Sequence, residues 1–486
     1  MKICITYPPL EEDKGVPLLS QNRQFQYFNS PTFIYPMIPA SAATLLKTNG
    51  YEVSWVDGIA ERLSPEKYLK IIEKENPDLI LIETKTPVIK KHWKWIEKIK
   101  KTLPRCKIVL VGDHVTALPK ESFLNSKVDF ILTGGDFDFL LLNLANHLKK
   151  KEKLEPGVWF REKGKIENTR KFVQNHDLNS LPFIDRILTK WKLYAYENGN
   201  FKFTPGTYTM ASRDCWWRRN GGCTFCSWTT IYPNSNSRTP ESLFKEIKLL
   251  VDKLHVREIF DDSGTFPAGA WLEKFCNLMI ESGYNEKVRI GCNMRVNALN
   301  QDQYFLMRKA GFRFLLYGVE SANQETLNKI NKGTKVEDTA NACRMAKKAG
   351  LEPHLTVMFG YPWETKKEMQ ETVKEVKNIF NNGWADTLQA TITIPYPGTK
   401  LFEECKKNKW LKTMDWDEYD MRMPVMKTKD GDDEIKKLVQ DCYRVFMSPK
   451  YVLRKITSIK SSEDLKFVRK GVKAVLGHLK DFSEKS

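Results

Sequence analysis

The 486-residue sequence has no run of about 18 uncharged apolar residues, so no membrane-crossing helix is expected. Its start, Met1-Lys2-Ile3-Cys4-Ile5-Thr6-Tyr7-Pro8-Pro9, lacks the long apolar core and small-residue cleavage site of a secretory signal. Both absences lead to the expectation of a cytoplasmic protein. There is no internal repeat and no low-complexity tract. A compact disulfide framework is missing as well. Ten cysteines are scattered over a long chain, which in a reducing compartment favours metal binding or catalysis. Cys4, Cys106, Cys276, Cys292, Cys343, Cys405 and Cys442 each stand alone and read as small buried hydrophobes. Acidic residues are in deficit, 60 against 78 Lys and Arg, for a formal net charge of +18. Such a balance suits nucleic acid or an anionic membrane. The lysines are spread through helix-like segments, however, so an ordinary solvated surface is expected and nucleic acid is not.

What is present is enough for real cores: 41% of the residues are hydrophobic, and the length suits two to four domains. Across 1–150, short apolar runs (2–7, 51–56, 79–83, 107–111, 130–133) alternate with helical segments (39–49, 65–75, 89–102). This is the pattern of a doubly wound parallel sheet. Residues 151–204 read as a hairpin and a linker. From 205 to 400 six further βα units follow, with strands near 206–212, 256–261, 288–294, 313–319, 354–359 and 387–394, which suits a partial (β/α)6 TIM-like barrel. Residues 401–486 read as α-rich. The fold class is α/β with a helical tail.

The chemistry concentrates in one loop, Arg213-Asp214-Cys215-Trp216-Trp217-Arg218-Arg219-Asn220-Gly221-Gly222-Cys223-Thr224-Phe225-Cys226. Clustered thiolates select zinc, copper(I) or iron–sulfur. A structural zinc site wants four ligands, and the nearest other candidates, His176, His255 and Cys276, are distant in sequence. Three cysteines leave one iron of a cubane open, and an open iron can coordinate a substrate or cofactor. A zinc site with a remote fourth ligand is the bland alternative.

This Cys-x7-Cys-x2-Cys loop resembles the signature of the radical S-adenosylmethionine (SAM) enzymes, whose first spacing is usually three. Phe225 stands in the aromatic place before the last cysteine. The resemblance implies a [4Fe-4S] cluster on Cys215, Cys223 and Cys226. Later segments resemble the family in order. Val256 to Phe266 contains Asp261-Asp262, one of which would bind the SAM amino group. Arg295, in Ile290 to Val296, would pair with the SAM carboxylate. Glu320 and Ser321, in Tyr317 to Gln324, would face the ribose or orient Arg295. Phe225 is included in the SAM-binding set. Catalytic residues beyond these are not assigned.

The first 150 residues resemble the cobalamin-binding module found before the barrel in one large branch of that family. The branch includes the anaerobic magnesium-protoporphyrin ester cyclases and the hopanoid-associated radical SAM proteins. Tyr7, Pro8, Asp113, His114, Thr116, Gly134, Gly135 and Asp136 carry the resemblance and would contact cobalamin. The module's Asp-x-His-x-x-Gly motif is absent, so cobalamin without an axial histidine from this loop is expected. The resemblance implies methylation, oxidative cyclisation or rearrangement of an apolar metabolite, lipid-like or tetrapyrrole. It also implies an electron donor of the flavodoxin or ferredoxin type. The final helix, with its stripe of Leu465, Val468, Val472, Val475, Leu476 and Leu479, is expected to dock on the barrel or to touch a membrane surface. Alternatives are a tRNA-modifying methylthiotransferase-like enzyme, whose end would be a small β-barrel, and a non-catalytic metal-binding protein.

Overall fold

The computed structural model describes residues 1–10, 14–19, 25–28 and 32–481, with side chains to 479. The apolar runs form two parallel sheets. In the first, β1 (Lys2–Tyr7), β2 (Glu52–Asp57), β3 (Leu79–Glu83), β4 (Lys107–Val111) and β5 (Phe130–Leu132) lie in the order β2-β1-β3-β4-β5. Leu79 to Ile82 and Ile108 to Val111 are wholly buried because helices cover both faces. Helices Met37–Thr48 and Phe137–Lys150 pack together, as do Pro65–Glu75 and Ile89–Thr102.

The hairpin β6 (Val158–Glu162) and β7 (Lys165–Asn168) pairs antiparallel on the β5 edge. The first sheet therefore runs on to Asn168, into the segment read as hairpin and linker. Edge strands as polar as Lys165–Asn168 carry no buried face to announce them in sequence.

The second sheet is all parallel: β8 (Gly206–Thr209), β9 (Glu258–Asp261), β10 (Arg289–Met294), β11 (Phe312–Glu320), β12 (Glu352–Phe359) and β13 (Thr387–Ile392), paired in chain order. It is the expected six-stranded partial barrel. Alternate residues of its strands, among them Phe314, Leu316 and Gly318 of β11 and His354, Thr356 and Met358 of β12, face a lumen of about 720 Å³.

After residue 400 the described elements are mostly helical, notably Lys400–Lys407, Asp432–Tyr443, Pro449–Thr457 and Ser462–Asp481. The terminal helix starts in a cap: the Asp464 amide donates to Ser461 Oγ (3.1 Å) and Asp464 Oδ2 accepts from the Lys460 amide (3.0 Å). It docks on the barrel floor, where Lys202 pairs with Asp464 (2.5 Å) and the Arg313 guanidinium lies 5.4 Å from the Phe467 ring. Phe467, Gly471, Ala474, Val475 and His478 line the lumen. Of the expected stripe, Val468 and Val475 line the lumen and Leu479 packs against the core, while Leu465, Val472 and Leu476 stay 47%, 55% and 54% exposed.

Candidate active site

The cysteine loop opens from the carboxyl end of β8, the end at which barrel enzymes carry their chemistry. Seven cysteines are buried in cores, as expected, whereas Cys215, Cys223 and Cys226 are only partly covered. All three line the upper lumen. Cys215 Sγ lies 3.0 Å from Thr265 Oγ1. Gly264 is required for this approach, since a Cβ there would stand 2.7 Å from the Cys215 amide nitrogen. Burial pushes the Cys223 thiol up, against the pull of Lys332 and Arg295.

The long first spacing has a structural use. Trp216 and Trp217, inside the seven-residue stretch, lie against the Arg295 guanidinium, 5.5 and 4.4 Å from the ring centres. Trp217 Nε1 donates to the Asn331 carbonyl (2.8 Å), and Asn331 Nδ2 donates to the carbonyls of Asn220 (2.9 Å) and Gly222 (2.8 Å). The Thr224 amide donates to the Ile330 carbonyl (3.0 Å). The loop is thus pinned at several points to Ile330 and Asn331, at the end of the short helix Gln324–Lys329 that follows β11.

Arg295 is 4% exposed and lines the lumen. Its Nη2 donates to the Lys332 carbonyl, while its buried Nε has no partner among the described atoms. Glu320 also lines the lumen, in an ion pair with Lys332 Nζ (2.8 Å). Its φ of +67° lies in the left-handed region, a strain that functional positions often hold. Asp262 and Phe225 line the lumen as well.

Two expected SAM contacts are turned to other work. Asp261 is fully enclosed and accepts from Thr209 Oγ1 (3.0 Å), the Ala211 amide (2.8 Å) and the Ser263 amide (3.1 Å). It holds the loop that leads to the cysteines and does not line the lumen. Ser321 Oγ donates to Glu364 Oε1 (2.9 Å), outside the lumen. Lys332 was not singled out in sequence, because nothing local links it to an acid twelve residues earlier.

Three thiolates with one position open are the donor set of a [4Fe-4S] cubane. Among the described residues, no three His, Cys, Asp or Glu side chains converge as a single bound ion would demand. A cubane seats each thiolate on a different iron and so spaces them apart. The buried Arg295 with its unpartnered Nε fits a carboxylate ligand such as that of SAM.

The eight residues singled out in the first domain gather at the carboxyl ends of β1, β4 and β5, where doubly wound sheets take ligands. Their polar atoms are engaged within the chain, and none lines the lumen. Tyr7 Oη donates to Glu83, whose carboxyl burial pushes up to about 7. Pro8 is buried beside it. Asp113 faces Lys85 at 3.8 Å. Thr116 Oγ1 accepts from the Gly134 amide (3.0 Å). A Cβ on Gly134 would fall 2.3 Å from the Phe172 ring, and one on Gly135 1.9 Å from Tyr232. His114 is fully buried, with its ring nitrogens 3.2 Å from Thr86 Oγ1 and 2.9 Å from Glu121 Oε2, and Trp416 edges onto it. The strand-end position fits a corrinoid only in a form without a histidine ligand from this loop.

Asp136 joins the two sheets' domains. It accepts from Arg213 Nη1 (2.8 Å) and pairs with His176 Nδ1 (3.2 Å), whose Nε2 lies 3.0 Å from Glu155. Burial pulls the His176 pKa down, but Asp136 and Glu155 outweigh it and raise it to about 9. A folded value above the unfolded one stabilises fully below the unfolded pKa of about 6.5, and the benefit is lost as pH rises through about 9. Thermal midpoints measured from pH 6 to pH 10 are therefore expected to fall across 7–9. His176→Gln should remove that component, which is of order 1 kcal/mol after solvent screening.

Comparison with known proteins agrees with this geometry. Residues 212–376 match the model of the radical SAM superfamily. An uncharacterized methyltransferase of Pyrococcus horikoshii is 28% identical over 94% of this chain and 95% of its own length. The anaerobic magnesium-protoporphyrin IX monomethyl ester cyclase of Cereibacter sphaeroides is 26% identical over 79% of this chain, which spans 62% of that relative. Among solved structures, the radical SAM methyltransferase TsrM from Kitasatospora setae, with cobalamin and a [4Fe-4S] cluster bound, superposes with a TM-score of 0.69. At 13% identity over 98% of this chain and 99% of that one, the likeness is one of fold. The cysteine loop, the six-stranded partial barrel and the matched segment together mark residues 212–376 as a radical SAM domain, and the whole chain has the fold of the cobalamin-dependent radical SAM enzymes.

Proposed function

We propose that the protein cleaves SAM at a [4Fe-4S] cluster held by Cys215, Cys223 and Cys226, carries cobalamin on its first domain, and methylates a carbon of an apolar metabolite in the barrel lumen. The observation behind this reading is the gathering around one lumen of three thiols outside the cores, buried Arg295 and the Glu320–Lys332 pair. When bound, the cluster and SAM supply one-electron cleavage of a sulfonium carbon–sulfur bond, and cobalamin supplies a methyl carrier.

The chain's own residues bind and orient. Arg295 takes the SAM carboxylate, its guanidinium plane fixed by Trp217 and its Nη2 by the Lys332 carbonyl. Asp262 takes the amino group. Glu320, held by Lys332, accepts from the ribose hydroxyls. Phe225 packs beside them. Asp261 and Ser321 position these groups from behind. Phe260, Phe314, Leu316, Met358 and Ile394 give the lumen an apolar lining that suits an apolar metabolite and excludes water from it. Methylation is favoured by the near full-length relative described as a methyltransferase. Cyclisation is the second reading, from the cyclase relative.

The test is anaerobic reconstitution with iron, sulfide and hydroxocobalamin, then SAM and dithionite. A cluster band, a corrinoid band and release of 5'-deoxyadenosine together with S-adenosylhomocysteine support methylation. 5'-Deoxyadenosine alone points to cyclisation, and stoichiometric zinc in place of the cluster overturns the proposal. Arg295→Lys keeps the charge but loses the planar fork. It is expected to raise the KM for SAM about tenfold or more while leaving cluster absorption intact.

A further inference from the structure

We infer that the floor of the lumen, around His354, is a recognition subsite for the uncharged polar end of an elongated, otherwise apolar substrate. The inference rests on the proposed function for its reacting end and names the substrate class at the other.

His354 sits near the start of β12, in register with Thr387 of β13. Its Nδ1 lies 2.8 Å from Thr387 Oγ1. Its Nε2 is buried and has no partner among the described atoms, although the ring lines the lumen. An imidazole nitrogen left so is a position that wants a ligand, since buried polar groups are almost always paired. The ring leans on Phe314 at 5.6 Å. Around it stand further neutral polar groups. Gln389 Nε2 donates to Gln26 Oε1 (3.1 Å), and Gln26 Nε2 lies 3.3 Å from His478 Nδ1. His478 in turn stacks on Tyr443 at 5.2 Å.

The distance to the reacting end sets the substrate's shape. Along β11, Phe314 stands at the floor and Glu320 at the roof, roughly 20 Å apart at the usual strand rise. Leu316, Met358 and Phe260 line the space between. An apolar body fits there, and only its far end would meet His354.

The charge of that end follows from the surroundings. Burial pulls His354 down to about 3 and His478 to about 4, so both rings are neutral across the physiological range. Three lysines also line this part of the lumen. Lys455 pairs with Asp386 (3.3 Å), Lys470 donates to the Tyr196 carbonyl (3.0 Å) with its pKa lowered by desolvation, and Lys473 lies in the solvent-exposed part of the terminal helix. No described carboxylate lines the floor beside His354, and its own ring brings no charge to meet an ionised end. A hydroxyl or amide can give or take a hydrogen bond at Nε2 without that cost.

The experiment measures equilibrium binding to the anaerobic full-length holoenzyme by calorimetry at pH 7. The probes are decanamide, decanol, decanoate and decylamine, each below its aggregation limit. Decanamide and decanol are expected to bind about tenfold more tightly than the charged pair. His354→Phe should cut decanamide affinity about tenfold and leave decanoate where it was, and His354→Gln should restore most of the loss. Decanamide affinity should stay flat from pH 5 to 8, a readout on wild type that no folding defect can imitate. Decanoate binding as tightly as decanamide, His354→Phe matching wild type, or a tenfold drift with pH would each overturn the inference. Binding needs neither electrons nor turnover. A wild type that selects decanamide but releases no 5'-deoxyadenosine retires the catalytic reading alone, and the reverse pattern retires only the subsite.

Discussion

Cys223→Ala is expected to lose the cluster absorption and to reduce 5'-deoxyadenosine release to the assay floor, with the fold retained. The loss should exceed the roughly 10–100-fold that removing a supporting partner costs a metal site, because a ligand itself is gone. Two thiolates cannot hold a cubane that already leaves one iron without a protein donor. The fold should survive because the loop does not depend on the thiol. Asn331 bonds the carbonyls of Asn220 and Gly222, Trp217 bonds the Asn331 carbonyl, and the Thr224 amide bonds the Ile330 carbonyl. Cys223→Ala removes one atom from that frame. The matched control is Cys276→Ala, which empties a little of a core and should keep both cluster and turnover. Iron content, the visible spectrum and a thermal melt on the two variants decide it. A Cys223→Ala protein that keeps full cluster absorption would remove this cysteine from the ligand set.

Much of this was readable in the sequence because the first sheet is buried on two faces. Continuous apolar runs such as Leu79-Ile80-Leu81-Ile82 mark parallel strands, and their observed limits fall close to the expected ones. The cysteine loop was readable because three thiols at short spacing have few other uses. What escaped notice depends on contacts between distant segments. Lys332 meets Glu320 only because the chain turns after β11, and Asn331 braces the cysteine loop from more than a hundred residues away. Asp261 and Ser321 matched motif positions, yet burial turned Asp261 toward the segment after β8 and Ser321 toward Glu364 after β12. The terminal helix was read by its large apolar residues, and Val468, Val475 and Leu479 of that stripe are the ones half-buried on docking. His354 looked like one more strand residue until the fold put its ring on the lumen with Nε2 buried and unpaired among the described atoms.

Arg213→Met is expected to cost about 3–5 kcal/mol, the penalty for leaving buried carboxylates without their cation. Arg213 lies in the barrel domain two residues before Cys215 and is 3% exposed. Its Nη1 donates to Asp136 (2.8 Å) and Asp138 Oδ1 (2.9 Å), and its Nη2 to Asp138 Oδ2 (2.5 Å). Both acids are fully buried at the start of the Phe137–Lys150 helix in the first domain, where the helix end favours negative charge. The fork therefore ties the barrel to the first sheet directly beside the cysteine loop. Arg213→Lys should fall between wild type and Arg213→Met, because a single ammonium cannot match two carboxylates bidentately. Adding Asp136→Asn and Asp138→Asn to Arg213→Met should recover much of the stability, since the charges left stranded would be gone. Urea melts followed by separate probes for each domain measure this, because a two-domain chain need not unfold in one step. If Arg213→Met melts like wild type, the interface is held by its apolar contacts alone. If the triple variant regains stability but not cluster content, the ion network sets the position of the cysteine loop as well as joining the domains.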